Sequence, residues 1–388
     1  MHHLSIGIVG TGPAALMAGT ALLESGHNVH FFDQLKAPAR KFLVAGHGGF
    51  NLTHSEMIDE FVNKYDSELL RESVRDFTSA DFIGFLKVIG IETYVGSSGK
   101  IFPVKGVKPI EVLNAWLDHL RKRGAEFNME HRLIDFSANS VVFDAKGTLK
   151  EQVFDRIIFA LGGGSWSRTG SDGKWVDLFR TKGIAVRDLT ASNSGFELRS
   201  NKKLHVLEGL PIKNCKVYSD RIEKYGDTVL TTYGIEGAPI YALNGEFRQG
   251  QSIFIDLKPD LSLDAIRDRL INAKNGTEAL KAMKLSRGAI GILKMYLTKE
   301  EFLEKEILAP RIKKLALPVR GIRPLNEVIS SVGGIHSLAI DTNFQLHAFP
   351  GIYCIGEMVD WDAPTGGYLI QGSVASGMKA ARSILGQS

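Results

Sequence analysis

The strongest constraint on the fold is a glycine-rich turn near the start of the chain. In "LSIGIVGTGPAALMAGTALLESG" a short apolar run, which predicts a buried strand, passes through Gly10 and Gly12 into a helical pattern that ends at Gly26. A second apolar run, "NVHFFD", predicts another strand that ends at Asp33. This order of strand, helix and strand, with glycines at the first turn, predicts a β-α-β unit of the Rossmann type.

The small residues of this turn have the spacing of a dinucleotide-binding motif, Gly10-x-Gly12-x-x-Ala15. Gly10 permits the tight turn, Gly12 leaves room for a pyrophosphate, and Ala15 lets the helix pack against the strand. The helix N-terminus offers N–H groups to the phosphates, and Asp33 is placed to accept hydrogen bonds from ribose hydroxyls. We predict that a dinucleotide binds here; the alternative is a structural glycine turn. The motif does not distinguish NAD from FAD.

A second glycine-bearing segment occurs near the C-terminus. "GIYCIGEMVDWDAPTGGYLIQGSVASGMKAARSI" predicts a buried strand ending at Gly356 and Glu357, then a helix that begins near Gly366 and Gly367. An enzyme that binds only NAD does not need this second glycine-bearing segment. An enzyme that binds FAD does need it, because the flavin of this long cofactor lies far from its adenosine. A helix N-terminus there would stabilise negative charge on the reduced flavin. The alternative is an ordinary packed helix.

The 388 residues suggest two domains, or one domain that carries an insertion. The stretch from about 193 to 259 alternates and is rich in turns, which predicts antiparallel strands, and the stretch from 262 to 317 has helical patterns. We predict an α/β fold with a discontinuous FAD-binding, Rossmann-like domain of the two-dinucleotide-binding type. The predicted parts are residues 1–191 (FAD domain, first part), 192–261 (inserted β subdomain), 262–319 (inserted helical subdomain) and 320–388 (FAD domain, second part).

Several longer segments make the chain resemble a known family, the HI0933-like flavoproteins (the YhiN/BaiN group), which are FAD-binding oxidoreductases. The segments that resemble the family are "RKFLVAGHGGFNLTH", "FALGGGSWSRTGSDG", "LTTYGIEGAP", "SSVGGI" and "GIYCIGEMVDWDAPTGGYLIQGSVASG". The first departs from the usual pattern: His47, Gly49 and Phe50 stand where members usually have Asn, Arg and Cys. Any family chemistry that uses that arginine or cysteine has no counterpart here.

The resemblance implies a set of cofactor-binding residues. Those implied to contact FAD are Gly10, Gly12, Pro13, Ala14, Asp33, Lys41, Gly46, Asn51, Gly162, Gly356, Glu357 and Gly367. Three residues after Gly367 are implied to lie near the flavin: Tyr368, Leu369 and Ile370.

Two residues are candidates for catalysis. His47, in the predicted cofactor loop, titrates near neutral pH in its unperturbed state and could move protons or orient a substrate. Its alternative role is structural or phosphate-binding. Tyr233, in the predicted insertion, could face the flavin and donate a hydrogen bond, with core packing as the alternative. A flavin performs hydride chemistry itself, so an enzyme of this class does not require a protein acid or base.

These observations predict an FAD-dependent oxidoreductase that transfers hydride between flavin N5 and a small organic substrate held between the FAD domain and the insertion. No second Gly-x-Gly-x-x-Gly follows a later strand, so NAD(P)H would act only as a transient reductant; the other option is an enzyme that oxidises its substrate. The resemblance leaves oxidation of amino compounds and reduction of steroid-like enones both open. The remaining alternatives are an NAD-dependent dehydrogenase and a non-catalytic flavoprotein that interacts with RNA or protein.

Composition bears on partners and location. A formal net charge of +4 is small and argues against a nucleic-acid partner. The two cysteines form no CxxC pair, so we predict no metal site and a reducing, cytoplasmic location. No run of about 18 apolar residues predicts a membrane span. The sequence does not indicate an oligomeric state.

Overall fold

A computed structural model describes residues 3–44, 50–199, 204–273 and 276–386. The chain divides into two compact units. The first unit comprises Met1–Thr190 and Leu325–Ser388, and the second comprises Ala191–Pro324. The first unit is therefore built from both ends of the chain. The insertion predicted from the sequence spans residues 192–319, and the second compact unit spans Ala191–Pro324.

The strands are, in chain order, β1 (Ser5–Val9), β2 (Asn28–Asp33), β3 (Thr53–His54), β4 (Thr93–Val95), β5 (Lys100–Pro103), β6 (Glu126–Met129), β7 (His131–Phe136), β8 (Ser140–Ala145), β9 (Thr148–Val153), β10 (Arg156–Phe159), β11 (Val186–Ser192), β12 (Phe196–Leu198), β13 (Pro211–Tyr218), β14 (Glu223–Leu230), β15 (Gly234–Glu236), β16 (Phe254–Asp256), β17 (Leu315–Ala316), β18 (Val319–Ile322), β19 (Ser330–Ile335) and β20 (Ile352–Cys354).

The α-helices are, in chain order, α1 (Pro13–Glu24), α2 (Arg40–Val44), α3 (Ile58–Val62), α4 (Glu68–Asp76), α5 (Ser79–Val88), α6 (Pro109–Arg121), α7 (Trp175–Thr181), α8 (Leu204–Leu207), α9 (Ala238–Tyr241), α10 (Asn244–Arg248), α11 (Leu263–Ile271), α12 (Gly276–Ala282), α13 (Arg287–Tyr296), α14 (Lys299–Leu303), α15 (Lys305–Lys313) and α16 (Tyr368–Ile384). Short 3₁₀ helices cover Ser167–Thr169, Leu325–Glu327, Ser337–Ala339 and Gly356–Met358.

The first unit is centred on a five-stranded sheet in the order β20-β10-β1-β2-β6, in which each neighbouring pair is parallel. Strands β1, β10 and β20 are short apolar runs because both faces of the sheet are covered. On β2, Phe31 packs against Gly19 of α1, and Phe32, on the opposite face, stacks on Phe143 of β8. The carboxyl ends of β1, β10 and β20 meet at one edge, which is where ligands bind in open α/β sheets. The turns after these three strands contain Gly10, Gly162 and Gly356.

Helices α1 and α16 pack closely in the first unit. A Cβ added to Gly377 of α16 would overlap the carbonyl oxygen of Ala14, so glycine is required for this contact. Strands β4 and β5 form a hairpin in which Tyr94 lies opposite Phe102, and β5 also pairs with β3. Strands β7, β8 and β9 form a separate antiparallel sheet, and β11 pairs with β19.

The second unit contains a seven-stranded sheet in the order β17-β16-β13-β14-β15-β12-β18. Strands β17 and β18 follow the helices α11–α15 in the chain and form the two edges of this sheet. Ile255 of the sheet and Ile266 and Leu308 of the helices belong to one hydrophobic core. The predicted β and helical subdomains therefore share a core, because the chain returns to the sheet after the helices.

Candidate functional site

A cavity of about 630 Å³ opens in the first unit at the carboxyl edge of the five-stranded sheet. It is lined by residues from both ends of the chain, as the two glycine-bearing segments predict. The cofactor contacts implied by the family resemblance that line it are Gly10, Gly12, Pro13, Ala14, Asp33, Lys41, Asn51, Gly162, Gly356, Glu357, Gly367, Leu369 and Ile370.

Four other predicted site residues are not in this lining. The side chain of Tyr368 is buried, and its hydroxyl donates to Oε2 of Glu56 over 2.7 Å. Tyr233 belongs to the second unit. Gly46 and His47 lie outside the described residues, as does Gly49.

The turn before α1 has two glycines with different physical roles. Gly10 has a φ of +105°, and a Cβ there would overlap the carbonyl oxygen of Ala160 at the end of β10. Gly12 has an extended conformation that any residue adopts, and a Cβ added to it would meet no atom of the described residues within 4 Å. Gly12 therefore keeps space open in the cavity, beside the uncapped N-terminus of a 12-residue helix.

Asp33 ends β2 at the rim of the same cavity. Its Oδ1 accepts from the N–H of Leu35 over 2.9 Å, and its Oδ2 accepts from the hydroxyl of Thr11, the residue between the two glycines. Burial raises the pKa of Asp33, and the hydrogen bonds from Thr11 and Leu35 oppose this effect. Sequence reasoning identified Asp33 but missed Thr11, although its position inside the glycine motif is a usable signal.

Lys41 and Glu357 form an ion pair in the cavity wall although 316 residues separate them. Nζ of Lys41 donates to Oε2 of Glu357 over 2.6 Å and to the hydroxyl of Ser165 over 2.7 Å. The other oxygen of Glu357 accepts from the backbone N–H of Ser331 over 2.9 Å. This network ties α2 to the turn after β20 and fixes two charges of opposite sign beside the cavity.

Helix α16 also begins at the cavity lining. Its N-cap, Gly367, has a φ of +104°, and a Cβ there would lie 2.5 Å from the carbonyl carbon of Thr53. The first turn of α16 has no acidic residue. Gln371 holds this turn in place, because it accepts from the hydroxyl of Thr53 over 2.8 Å and donates to the carbonyl of Phe77 over 2.8 Å. The cavity therefore receives the N-termini of α1 and α16, two helices of 12 and 17 residues from opposite ends of the chain.

Lys100, the first residue of β5, also lines the cavity, although no sequence pattern predicts it there. Its Cε lies 3.5 Å from the position of a Cβ added to Gly366, so the side chain crosses the turn before α16. Within the described residues, no carboxylate pairs with its ammonium group. A lysine and a helix N-terminus therefore place positive charge in the same part of the cavity.

Tyr233 is held by two neighbours in the second unit. Its hydroxyl donates to Oε1 of Glu236, and the guanidinium of Arg323 lies 4.3 Å from the centre of its ring. Burial and the neighbouring Glu236 carboxylate raise the pKa of Tyr233 well above the usual value. The phenol is therefore neutral at physiological pH.

Both cysteines are free and buried. Burial raises the pKa of the Cys215 thiol to about 11 and raises the pKa of Cys354 as well. Neither thiol is poised for reaction. In the described part of the chain, no helix combines the length and apolar character that crossing a membrane requires.

The lining fits an extended dinucleotide cofactor. The open space at Gly12 fits a phosphate against the N-terminus of α1, and Asp33 fits a ribose. A second helix N-terminus with Lys100 fits a further group that carries negative charge. The fold and the site together define a Rossmann-type dinucleotide-binding protein. Because both α1 and α16 begin at its cavity, the cavity suits FAD better than NAD, which needs only the first of these helix N-termini.

Comparison with known proteins identifies the family. The sequence matches the HI0933-like protein Rossmann domain over residues 4–383. The chain therefore belongs to the HI0933-like family of FAD-dependent oxidoreductases, which confirms both the resemblance and the predicted fold class.

Two curated relatives align along nearly their whole length. The chain is 20% identical to the ribosomal RNA dihydrouridine synthase of Escherichia coli (strain K12), over 99% of each protein. It is 23% identical to the 3-dehydro-bile acid delta(4,6)-reductase of Clostridium scindens, over 97% of this chain and 98% of that protein.

Two solved structures share the fold. A flavocytochrome c3 fumarate reductase has a TM-score of 0.55 at 13% identity, with 100% of this chain and 78% of that chain covered. The 3-ketosteroid-delta4-(5alpha)-dehydrogenase of Rhodococcus jostii RHA1 has a TM-score of 0.51 at 14% identity, with 98% and 97% covered.

Proposed function

We propose that this chain reduces a carbon–carbon double bond conjugated to a carbonyl group, with FAD as cofactor and NAD(P)H as a transient reductant. The cavity that receives two helix N-termini carries the cofactor assignment. The names of the two curated relatives support the reaction, because forming dihydrouridine from uridine and reducing a 3-keto steroid at positions 4 and 6 both saturate such a bond. Because the identity is only 20–23%, we propose for this chain the type of reaction that the two relatives share, and not the substrate of either.

The chain's own residues divide the binding of FAD between them. The N–H groups at the start of α1 bind the pyrophosphate in the space that Gly12 leaves open. Asp33 accepts hydrogen bonds from the adenosine ribose. The ion pair of Lys41 and Glu357 lines the same cavity and presents a carboxylate to hydroxyl groups of the cofactor.

The positive charge near α16 favours hydride transfer onto the bound cofactor. Bound FAD would supply hydride transfer at its N5 atom. Lys100 and the N-terminus of α16 stabilise negative charge in that part of the cavity, which favours the reduced cofactor. Tyr233, neutral and able to donate a proton, and His47 remain the candidate proton donors to the substrate.

The direction of reaction is tested by anaerobic reduction of the bound flavin. Purified protein is mixed in turn with NADH, NADPH and a panel of amines and hydroxy compounds, and the blue absorbance of the flavin is followed. We expect a nicotinamide nucleotide to bleach the flavin and a 3-keto-4-ene steroid or uridine oligonucleotide to restore the colour. Bleaching by an amine instead would assign the oxidising direction. A bound flavin that none of these compounds reduces would favour a non-catalytic role.

A further inference from the structure

A histidine that the proposed function does not use, His131, lines the cavity close to the end of β2. Met129 of β6 lies opposite Asp33 in the register, and His131 begins β7 two residues further along the chain. The ring of His131 also contacts Phe32, the neighbour of Asp33, edge to face with the ring centres 5.7 Å apart. Because Asp33 is the residue proposed to hold the adenosine ribose, His131 lies at the adenosine end of the cavity.

The ring of His131 is held on two sides. It meets Phe32 and Phe143 edge to face, at 5.7 Å and 5.8 Å between ring centres, and these two phenyl rings stack on each other at 4.3 Å. Its Nδ1 lies 2.9 Å from the carbonyl oxygen of Met129. A carbonyl oxygen only accepts hydrogen bonds, so Nδ1 of His131 carries the proton and donates. In the neutral ring, Nε2 is therefore a hydrogen-bond acceptor.

This accepting nitrogen is available to a ligand. Nε2 of His131 has no hydrogen-bond partner among the described residues, where every buried side-chain nitrogen and oxygen has one. Nε2 is therefore accessible, on a residue that lines the cavity. An unpaired acceptor on a ring of fixed orientation can distinguish a ligand that donates at that point from one that does not.

The wall around His131 combines apolar side chains with polar groups that are already bonded. Leu133 of β7 and Leu178 of α7 line the cavity, and α7 packs against β7. Arg132 pairs with Asp144 over 2.9 Å, and the side-chain amide of Gln34 donates to a backbone carbonyl over 2.8 Å. Apolar walls with a few placed polar groups are typical of a site for a planar organic ring.

We propose that His131 determines which base the cofactor carries, because its Nε2 accepts a hydrogen bond from the exocyclic amino group of adenine. Hypoxanthine and guanine have an accepting oxygen at the position of that amino group. Two acceptors that face each other leave both without a partner, which penalises these bases. The inference rests on the proposed function, since it assumes FAD in this cavity, and it adds a residue that selects the nucleotide end.

The test compares ADP with inosine diphosphate (IDP), which carries hypoxanthine in place of adenine. Binding of each nucleotide to the FAD-free, full-length protein is measured by titration calorimetry. The two nucleotides share the ribose and the diphosphate, so the ratio of their affinities reports on the base alone. We expect the wild type to bind ADP about tenfold more tightly than IDP. FAD is titrated in parallel.

Two substitutions of His131 separate its hydrogen bond from its packing. His131→Phe keeps an aromatic ring beside Phe32 and removes the acceptor, so we expect about tenfold weaker ADP binding, IDP binding at least as tight as in the wild type, and loss of the preference for ADP. The amide of His131→Gln offers an oxygen to adenine or a nitrogen to hypoxanthine. This variant should regain ADP affinity relative to His131→Phe and bind IDP more tightly than the wild type does.

His347→Phe is the matched control. His347 is exposed and does not line the cavity, so the same chemical change there should leave the ratio of ADP to IDP affinity at the wild-type value. Thermal unfolding of each FAD-free variant checks that it is folded. A purely structural role of His131 would change both affinities by the same factor and leave their ratio unaltered.

Two results would overturn the inference while FAD binding stands: equal affinity of the wild type for ADP and IDP, or a preference for ADP that persists in His131→Phe. The second result would assign recognition of the base to other groups of the lining. Failure of the wild type to bind FAD in the parallel titration would instead overturn the cofactor assignment, and the inference with it.

Discussion

Helices α1 and α16 both begin at the cavity and are each preceded by a glycine, and the two glycines are required for different reasons. Gly12 adopts a backbone conformation open to any residue, and a Cβ there points into empty space among the described residues. Gly367 has a φ of +104°, and a Cβ there would press against the backbone of Thr53. Gly12 makes room for a ligand, whereas Gly367 makes the fold possible.

A glycine before an apolar helix can therefore have either of two structural roles. Only the backbone conformation and the neighbouring atoms show which role a given glycine has. Substitution at Gly12 should leave the protein folded and weaken cofactor binding. Substitution at Gly367 should reduce the stability of the fold itself. The two substitutions should therefore change different measured quantities: FAD affinity at Gly12 and the free energy of unfolding at Gly367.

The largest effect is expected for Gly367→Ala. The left-handed conformation costs a residue with a Cβ about 1–2 kcal/mol, and relief of the contact with Thr53 requires the start of α16 to move. We expect the free energy of unfolding of the FAD-free protein to fall by about 3 kcal/mol or more, measured by urea denaturation. Gly245→Ala, whose Cβ would meet nothing within 4 Å among the described residues, is the control and should not destabilise. Equal stability of the two variants would contradict the role given to Gly367.

The next effect is expected for Gly12→Ser. Serine is a favoured N-cap, so α1 should remain intact and the unfolding free energy of the FAD-free protein should stay within about 0.5 kcal/mol of the wild type. The added side chain fills the space left for the pyrophosphate and takes a helix N–H. We expect FAD to bind about a hundredfold more weakly, a loss of about 2.7 kcal/mol, by fluorescence titration. Unchanged FAD affinity would mean that the phosphates do not lie at this turn.

Lys100→Met tests the charge at the second helix N-terminus. Removing one cation near a developing negative charge at a partly exposed site should slow reduction of the bound flavin about tenfold, or about 1.4 kcal/mol. Lys105→Met, an exposed lysine that does not line the cavity, should reduce at the wild-type rate. The rates come from anaerobic stopped-flow mixing with the better nicotinamide donor. Equal rates for the two variants would remove Lys100 from the proposed site.

The sequence predicts those parts of the site that are local in the chain. Gly10, Gly12 and Asp33 lie within one β-α-β unit, where spacing fixes geometry. The strand and helix near Gly356 and Gly367 are likewise local. The family match confirms the class of fold that these segments predict.

Long-range contacts are what the sequence alone does not predict. Lys100 reaches the turn before α16 only because β5 pairs with β3 beside it, and no periodicity encodes that neighbour. The partners of Glu357, Lys41 and Ser331, come from distant segments for the same reason.

The smallest effect concerns Asp33 and pH. Burial holds the pKa of Asp33 above its usual value in the FAD-free protein, and ribose hydroxyls that donate to the carboxylate favour its ionised form, so FAD binding lowers this pKa. FAD affinity should therefore fall as pH drops through the raised pKa.

Asp33→Asn keeps an acceptor for the Leu35 N–H, and we expect it to bind FAD about fivefold more weakly at neutral pH. At pH values above its raised pKa, the ionised carboxylate of Asp33 destabilises the folded, FAD-free protein. Asp33→Asn removes this charge, so the free energy of unfolding of the FAD-free variant should be at least that of the wild type at neutral pH. The affinities of the two proteins should converge in acid, and a pH-independent ratio of affinities would show that Asp33 does not hold the ribose.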